Sequence, residues 1–194
     1  MMKLLSKLMN YNVYKRTIIM WVISQLILWT VFLIGYLLNK DAWVNIPDIT
    51  NVSENNMSLF LYIIISNTII CLLVFIGNIF VRFGNITPGI IVLLIQLITI
   101  GWIAGTNGFE FPFSSVIQAN LQYLRVGLWE VTSYILICAV SLNKSLHISD
   151  TFPATKWVST RKLKDIKFNK SEVIIVVIAV ISLFMAATIE TITL

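Results

Sequence analysis

Two carboxylates stand where carboxylates are costly. Glu130 lies in Gly127-Leu128-Trp129-Glu130-Val131, and Glu190 lies in Ala186-Ala187-Thr188-Ile189-Glu190, each inside or at the end of a long apolar run. A charged group at membrane depth needs a partner, a proton or water, which makes it a functional-site hypothesis. Asn67 and Arg125 are further polar candidates in apolar surroundings. One reading makes the four a polar pocket, with two acids and Arg125 as counter-charge. The other makes them interhelical glue: Arg125 pairs with Glu130, Glu190 reaches to the interface, and each contact contributes about 0.6 kcal/mol. Both readings stay open on the sequence.

The elements that must carry these residues follow from composition. The chain has 194 residues, 58% hydrophobic and 12% charged, whereas soluble domains run at about 25% charged. Lipid is therefore the expected solvent. A spanning helix needs roughly 20 apolar residues. The fold class expected is an all-α polytopic membrane protein, one membrane domain over 1–194. Its five spans are placed at about 17–38, 58–80, 88–105, 124–142 and 172–192. No room remains for a soluble catalytic domain. Pro88 suits a helix start, where its missing N–H is not needed. The stretch 106–123 contains Asn107-Gly108 and Phe111-Pro112, both turn-like, and is expected as a sixth, short surface or re-entrant helix. The run Thr17–Leu38 is too long for a signal-peptide core and has no small-x-small site after it, so it reads as a retained span.

Lysines and arginines set the expected orientation. One side collects Lys3, Lys7, Lys15, Arg16, Arg82, Lys144, Lys156, Arg161, Lys162, Lys164, Lys167 and Lys170. The other has Lys40 and Arg125, with Asp41, Asp48, Glu54 and Glu110. The chain is expected in the cell membrane with its N-terminus cytoplasmic and its C-terminus extracellular. The net charge of +5 then reflects topology and anionic lipid headgroups, not nucleic acid. A span entering from outside at Leu124 puts Glu130 about 9 Å deep, at 1.5 Å per residue. Glu190 and Asn67 fall toward the same outer face.

Other motifs are weaker. Gly101-Trp102-Ile103-Ala104-Gly105 permits close helix approach, within the chain or in a homo-oligomer. Asn78 and Gln96 read as hydrogen-bonded packing residues. Cys71 and Cys138 fall in apolar runs and read as buried small hydrophobes. His147 has no neighbouring Asp or Cys and reads as solvated. Trp43, Trp129 and Trp157 sit near span ends, as interfacial anchors do. Asn51-Val52-Ser53 is a glycosylation sequon, of consequence only in a glycosylating secretory pathway. The loop 143–171 is strongly basic. Within it, Lys156, Arg161, Lys162, Lys164 and Lys167 are candidates for partner or lipid contact, with Leu163, Ile166 and Phe168 forming a short amphipathic turn. Ordinary topogenic charge is the alternative. No P-loop, H-E-x-x-H or G-x-S-x-G motif is present. No enzyme activity, cofactor or metal is expected, and any energy from ATP must come from another chain.

The stretch Phe75–Gly108, with Gly77, Gly89, Gly101 and Gly105 and the ending Thr106-Asn107-Gly108, resembles the SpoIIM (stage II sporulation protein M) family. Gly127-Leu128-Trp129-Glu130 is similar to that family's H-G-x-x-E element, with Val126 in place of its His. Ala186-Ala187-Thr188-Ile189-Glu190 is similar to its closing A-A-x-I-E. In span two, Asn67 stands where the family tends to have a polar Asn pair. The resemblance implies a multi-span membrane protein without enzymatic activity. Some members recruit peptidoglycan-remodelling partners during sporulation. Others are encoded with circular bacteriocins and act in maturation, export and self-immunity, often beside an ATP-binding protein. The short chain points to the second group: a bacteriocin-associated membrane subunit with a peptide cargo and a cytoplasmic ATPase. A scaffold for cell-wall hydrolases and an ion- or proton-coupled transporter using Glu130 are the alternatives.

Overall fold

The computed structural model describes residues 7–44 and 56–193. Lys3, Asp48, Glu54 and the Asn51 sequon lie outside the described residues. Helix α1 spans Val13–Leu38. The Asn12 side chain caps it by accepting from the Lys15 N–H at 2.8 Å, and Asn39 closes it by donating its amide to Gly35 O at 3.1 Å. No proline interrupts the run between, so the helical ladder is continuous. Helix α2 spans Asn56–Phe80 and α3 spans Pro88–Gly105. Thr87 caps α3 by accepting from the Ile90 N–H at 3.3 Å, and Pro88 opens the helix as expected. Helix α4 (Val116–Gln122) passes through a π turn at Tyr123–Gly127 into α5 (Leu128–Ser141), and α6 spans Lys170–Thr193.

Five helical runs are long and apolar enough to cross a membrane: Val13–Leu38, Met57–Phe80, Pro88–Gly105, Val116–Ser141 and Lys170–Ile192. Their outward faces carry bare aliphatic side chains, such as Leu26, Leu33, Ile65, Ile69, Ile95 and Ile178. Water penalises so continuous an apolar surface and hydrocarbon does not. Helix α5 is the centre of the bundle. Val131, Ile135, Cys138, Ala139 and Val140 are fully or almost fully buried, because α1, α2, α3 and α6 all pack on this helix.

The structure departs from the sequence reading in four places. Helix α1 starts at Val13, so Arg16 lies inside the helix, buried, and not in a flanking tail. Residues 106–123 form no separate re-entrant helix: α4 starts at Val116 and continues into the fourth span. Glu130 therefore lies fourteen residues, about 21 Å, from the start of its helical run, where a span beginning at Leu124 would have put it six residues in. The fold is also not purely helical. Strands β1 (Val81–Phe83), β2 (His147–Ser149) and β3 (Val158–Ser159) form a small sheet in the order β1-β2-β3, parallel and then antiparallel.

That sheet has a topological consequence. It joins the 81–87 connection to the 143–171 loop, so both lie at one end of the bundle. Arg82 Nη1 also reaches Met9 Sδ at 3.0 Å, which brings the N-terminal residues to this end. At the other end Trp43 Nε1 donates to Gly105 O at 3.0 Å, and Asn107 Nδ2 donates to Ala42 O at 3.2 Å. The described connections alternate between the two ends of the bundle.

Candidate intramembrane polar site

Glu130 sits in the first turn of α5 and is half-buried. Its Oε1 accepts from Asn67 Nδ2 of α2 at 2.5 Å. The Asn67 side-chain oxygen accepts from the Tyr134 hydroxyl. Tyr134 lies four residues beyond Glu130 on the same helix face and is almost fully buried. One amide therefore binds an acid and a phenol at once, using both its donor and its acceptor. Ser133 closes the turn by donating to Glu130 O at 2.6 Å. The Glu190 carboxylate of α6, also half-buried, lies within electrostatic range of both Glu130 and Tyr134. Three of the four sequence candidates thus converge from three helices.

Arg125 does not join them. It is exposed and lines a shallow surface hollow with Phe113, Gln118, Leu121 and Gln122. It forms no ion pair with Glu130. Residues three or four apart are neighbours on an α-helix and residues five apart are not. The buried members of that turn are Tyr123 and Val126. Tyr123 donates its hydroxyl to Gln25 Oε1 of α1 at 2.7 Å, and Gly127 leaves room for its ring.

The site is one end of a longer polar seam between α2 and α5. Asn67, Cys71 and Asn78 recur at helical spacing on α2. Cys71 Sγ lies 3.9 Å from Ser133 Oγ. Asn78 donates to Ser141 Oγ at 2.8 Å and to Cys138 O at 3.3 Å, and accepts from Thr87 at 2.5 Å. Asn78 is thus a packing residue, as the sequence suggests. Both cysteines are free and buried.

The glycine motif is used within the chain. Gly101 and Gly105 are buried against α1. A Cβ on Gly101 would meet Leu28 O at 2.6 Å, and one on Gly105 would collide with Phe32 O. Self-association through this face is therefore closed off by α1. Trp43 is likewise a structural residue, through its bond to Gly105 O.

A second polar centre, missed in the sequence, lies at the sheet end. Lys144 Nζ donates to Glu172 Oε2 at 2.8 Å and to Lys167 O at 2.8 Å, with both charged side chains nearly buried. Asn169 and Glu172 cap α6 reciprocally, at 2.8 and 2.9 Å. Arg16, 1% exposed, lies within electrostatic range of Glu172, and its Nε and Nη1 make no hydrogen bond. Lys144 is therefore no solvated topogenic charge. The readable signal was Asn169-x-x-Glu172, the pattern of a reciprocal helix cap. Of the basic loop residues, Lys156, Lys162, Lys164 and Lys167 are exposed and Arg161 is half-buried. His147 is exposed.

Chemically, the Asn67–Glu130–Tyr134–Glu190 cluster holds acceptors in excess of donors. It suits a shared proton, a cation, or the donor groups of a peptide. No protein-family model, curated protein or solved structure matches this chain.

Proposed function

We propose that this chain is a non-enzymatic membrane subunit of a bacterial system for maturation, export or self-immunity of an antimicrobial peptide, working beside an ATP-binding partner. The observation that supports it is the convergence of Asn67, Glu130 and Glu190 from α2, α5 and α6. These are the positions on which the resemblance to the SpoIIM family falls. The excess of Lys and Arg at the sheet end argues for that end being cytoplasmic. Glu190, near the outer end of α6, and Glu130, near the middle of its helical run, would then offer complementary charge to a cationic peptide entering from outside. The lack of a nucleotide-binding motif in the sequence leaves energy supply to the partner.

The test is a challenge assay. A sensitive bacterium expresses the chain with its genetically adjacent ATPase and meets a circular bacteriocin. Glu130→Gln and Glu190→Gln should abolish protection or secretion at equal membrane abundance. Full protection by both variants would overturn the proposal. The mutual approach of two carboxylates also favours a second reading, proton-coupled transport. Uptake driven by a proton gradient in liposomes containing this chain alone would select it.

A further inference from the structure

The loop between α5 and α6 carries an unusual surface. From Lys156 to Lys170 it holds six basic residues and one acid. Between the charges, Trp157, Val158 and Leu163 stand exposed, Leu163 at 64%. Phe152, at 82%, stands exposed beside them and packs edge-on against Phe83 with Trp157. A loop bathed in water gains nothing from apolar side chains placed this way. A surface lying at the headgroup boundary gains from both kinds.

Depth decides between these situations. Phe168 stacks on Phe75 with ring centroids 6.1 Å apart. Phe75 belongs to the α2 span and lies five residues, about 7.5 Å, inside its end. Lys144, which reaches Lys167 O, lies over the same Phe168 ring at 5.1 Å. The other flank is pinned too: Thr160 donates its hydroxyl to Ser145 O and its N–H to Leu146 O, just beyond the end of α5. The segment is therefore tied down at the sheet-end termini of α2 and α5.

We infer that the segment Trp157–Phe168, together with Arg82 of β1, docks on the anionic leaflet at the sheet end and takes lipid phosphate groups. The lysine stems lie along the interface and carry their ammonium groups to the headgroups. Arg82 fits this role independently. Burial first, and then the neighbouring Arg161, lower its guanidinium below the ordinary arginine range, with Asp150 opposing. Its Nε is buried and makes no hydrogen bond. A phosphate set against the accessible parts of Arg82 and Arg161 relieves their mutual repulsion. An acidic protein partner would satisfy the charge equally. It would not account for the aromatic contact inside the span end, which continues the lipid-facing surface of α2.

The test uses the full chain in vesicles. Leu163→Cys is labelled with an environment-sensitive maleimide; the two native thiols are buried and react slowly. Vesicles contain phosphatidylcholine alone, or mixed with phosphatidylglycerol. Quenching by shallow nitroxide lipids should rise about twofold with the anionic lipid, and quenching by aqueous iodide should fall. Lys162→Gln with Lys164→Gln and Lys167→Gln should remove that dependence while the labelled protein stays monodisperse. Inorganic phosphate added to phosphatidylcholine vesicles should change nothing; an equal response to it would mean a free-anion site and overturn leaflet docking. Equal lipid quenching in both vesicle types would overturn the anionic preference. Full iodide access without nitroxide quenching in either vesicle type would place the segment in water, overturn the inference and leave the basic face to a soluble acidic partner. Only chain and lipid are present, so this assay stands or falls apart from the peptide challenge.

Discussion

Asn67 Nδ2 lies 2.5 Å from Glu130 Oε1, across the α2–α5 interface. The bond is held in register from behind, because Tyr134 donates to the same amide's oxygen. An amide fixed at both ends cannot rotate without losing both contacts. Asn67 thus presents a donor to Glu130 and fixes where one carboxylate oxygen points.

This relationship predicts a measurable coupling. In a cycle of Asn67→Ala, Glu130→Ala and the double variant, the interaction energy should be about 0.6–1.7 kcal/mol, the range for polar contacts between membrane helices. Unfolding in mixed micelles reads it. Strictly additive single effects would mean that the contact is absent in the folded protein.

Glue and a working site separate on one substitution. Glu130→Gln keeps an acceptor oxygen toward Asn67, so stability should change by less than about 1 kcal/mol. Activity in the peptide challenge should nevertheless disappear. A variant that is equally abundant and fully active would reduce Glu130 to packing.

Gly101→Val should destabilise the bundle by about 1–3 kcal/mol through overpacking. The new side chain meets the Leu28 carbonyl of α1, which cannot step aside as a flexible side chain would. Thermal unfolding of the purified protein tests this. An unchanged midpoint would mean that α1 and α3 are not in contact at Gly101.

At the sheet end, Glu172→Ala should cost about 3–5 kcal/mol, because it leaves a buried Lys144 without its counter-charge. Combining Lys144→Met with Glu172→Leu should restore part of the loss. Recovery should stay incomplete because Arg16, buried and within range of Glu172, remains. Complete recovery in chemical denaturation would show that Arg16 does not depend on Glu172.

Much of the architecture is legible in the amino-acid order. Runs of some twenty apolar residues have no other stable state in lipid than helices, because every backbone group must be satisfied within the segment. The helix start at Pro88 was readable as well. The small sheet was not readable, since its strands are two or three residues long and β1 pairs with β2 across 66 positions. The fourth span was placed too late. Gln118, Asn120, Gln122 and Arg125 dilute its apolar signal, and a π turn leaves no mark in a pattern read at 3.6 residues per turn.

The two acids illustrate the division between sequence and fold. Their cost in an apolar run is a property of each residue and its neighbours in the chain, so the sequence alone singled out Glu130 and Glu190. Which groups stand opposite them depends on helix rotation and pairing, which arise from packing over the whole bundle. Only the tertiary structure could turn Arg125 outward, bring Asn67 and Tyr134 to Glu130, and close α1 over Gly101 and Gly105. It also converted Arg16, Lys144 and Glu172 from apparent flanking charges into a buried cluster, because burial depends on the neighbours that folding brings and not on position along the chain.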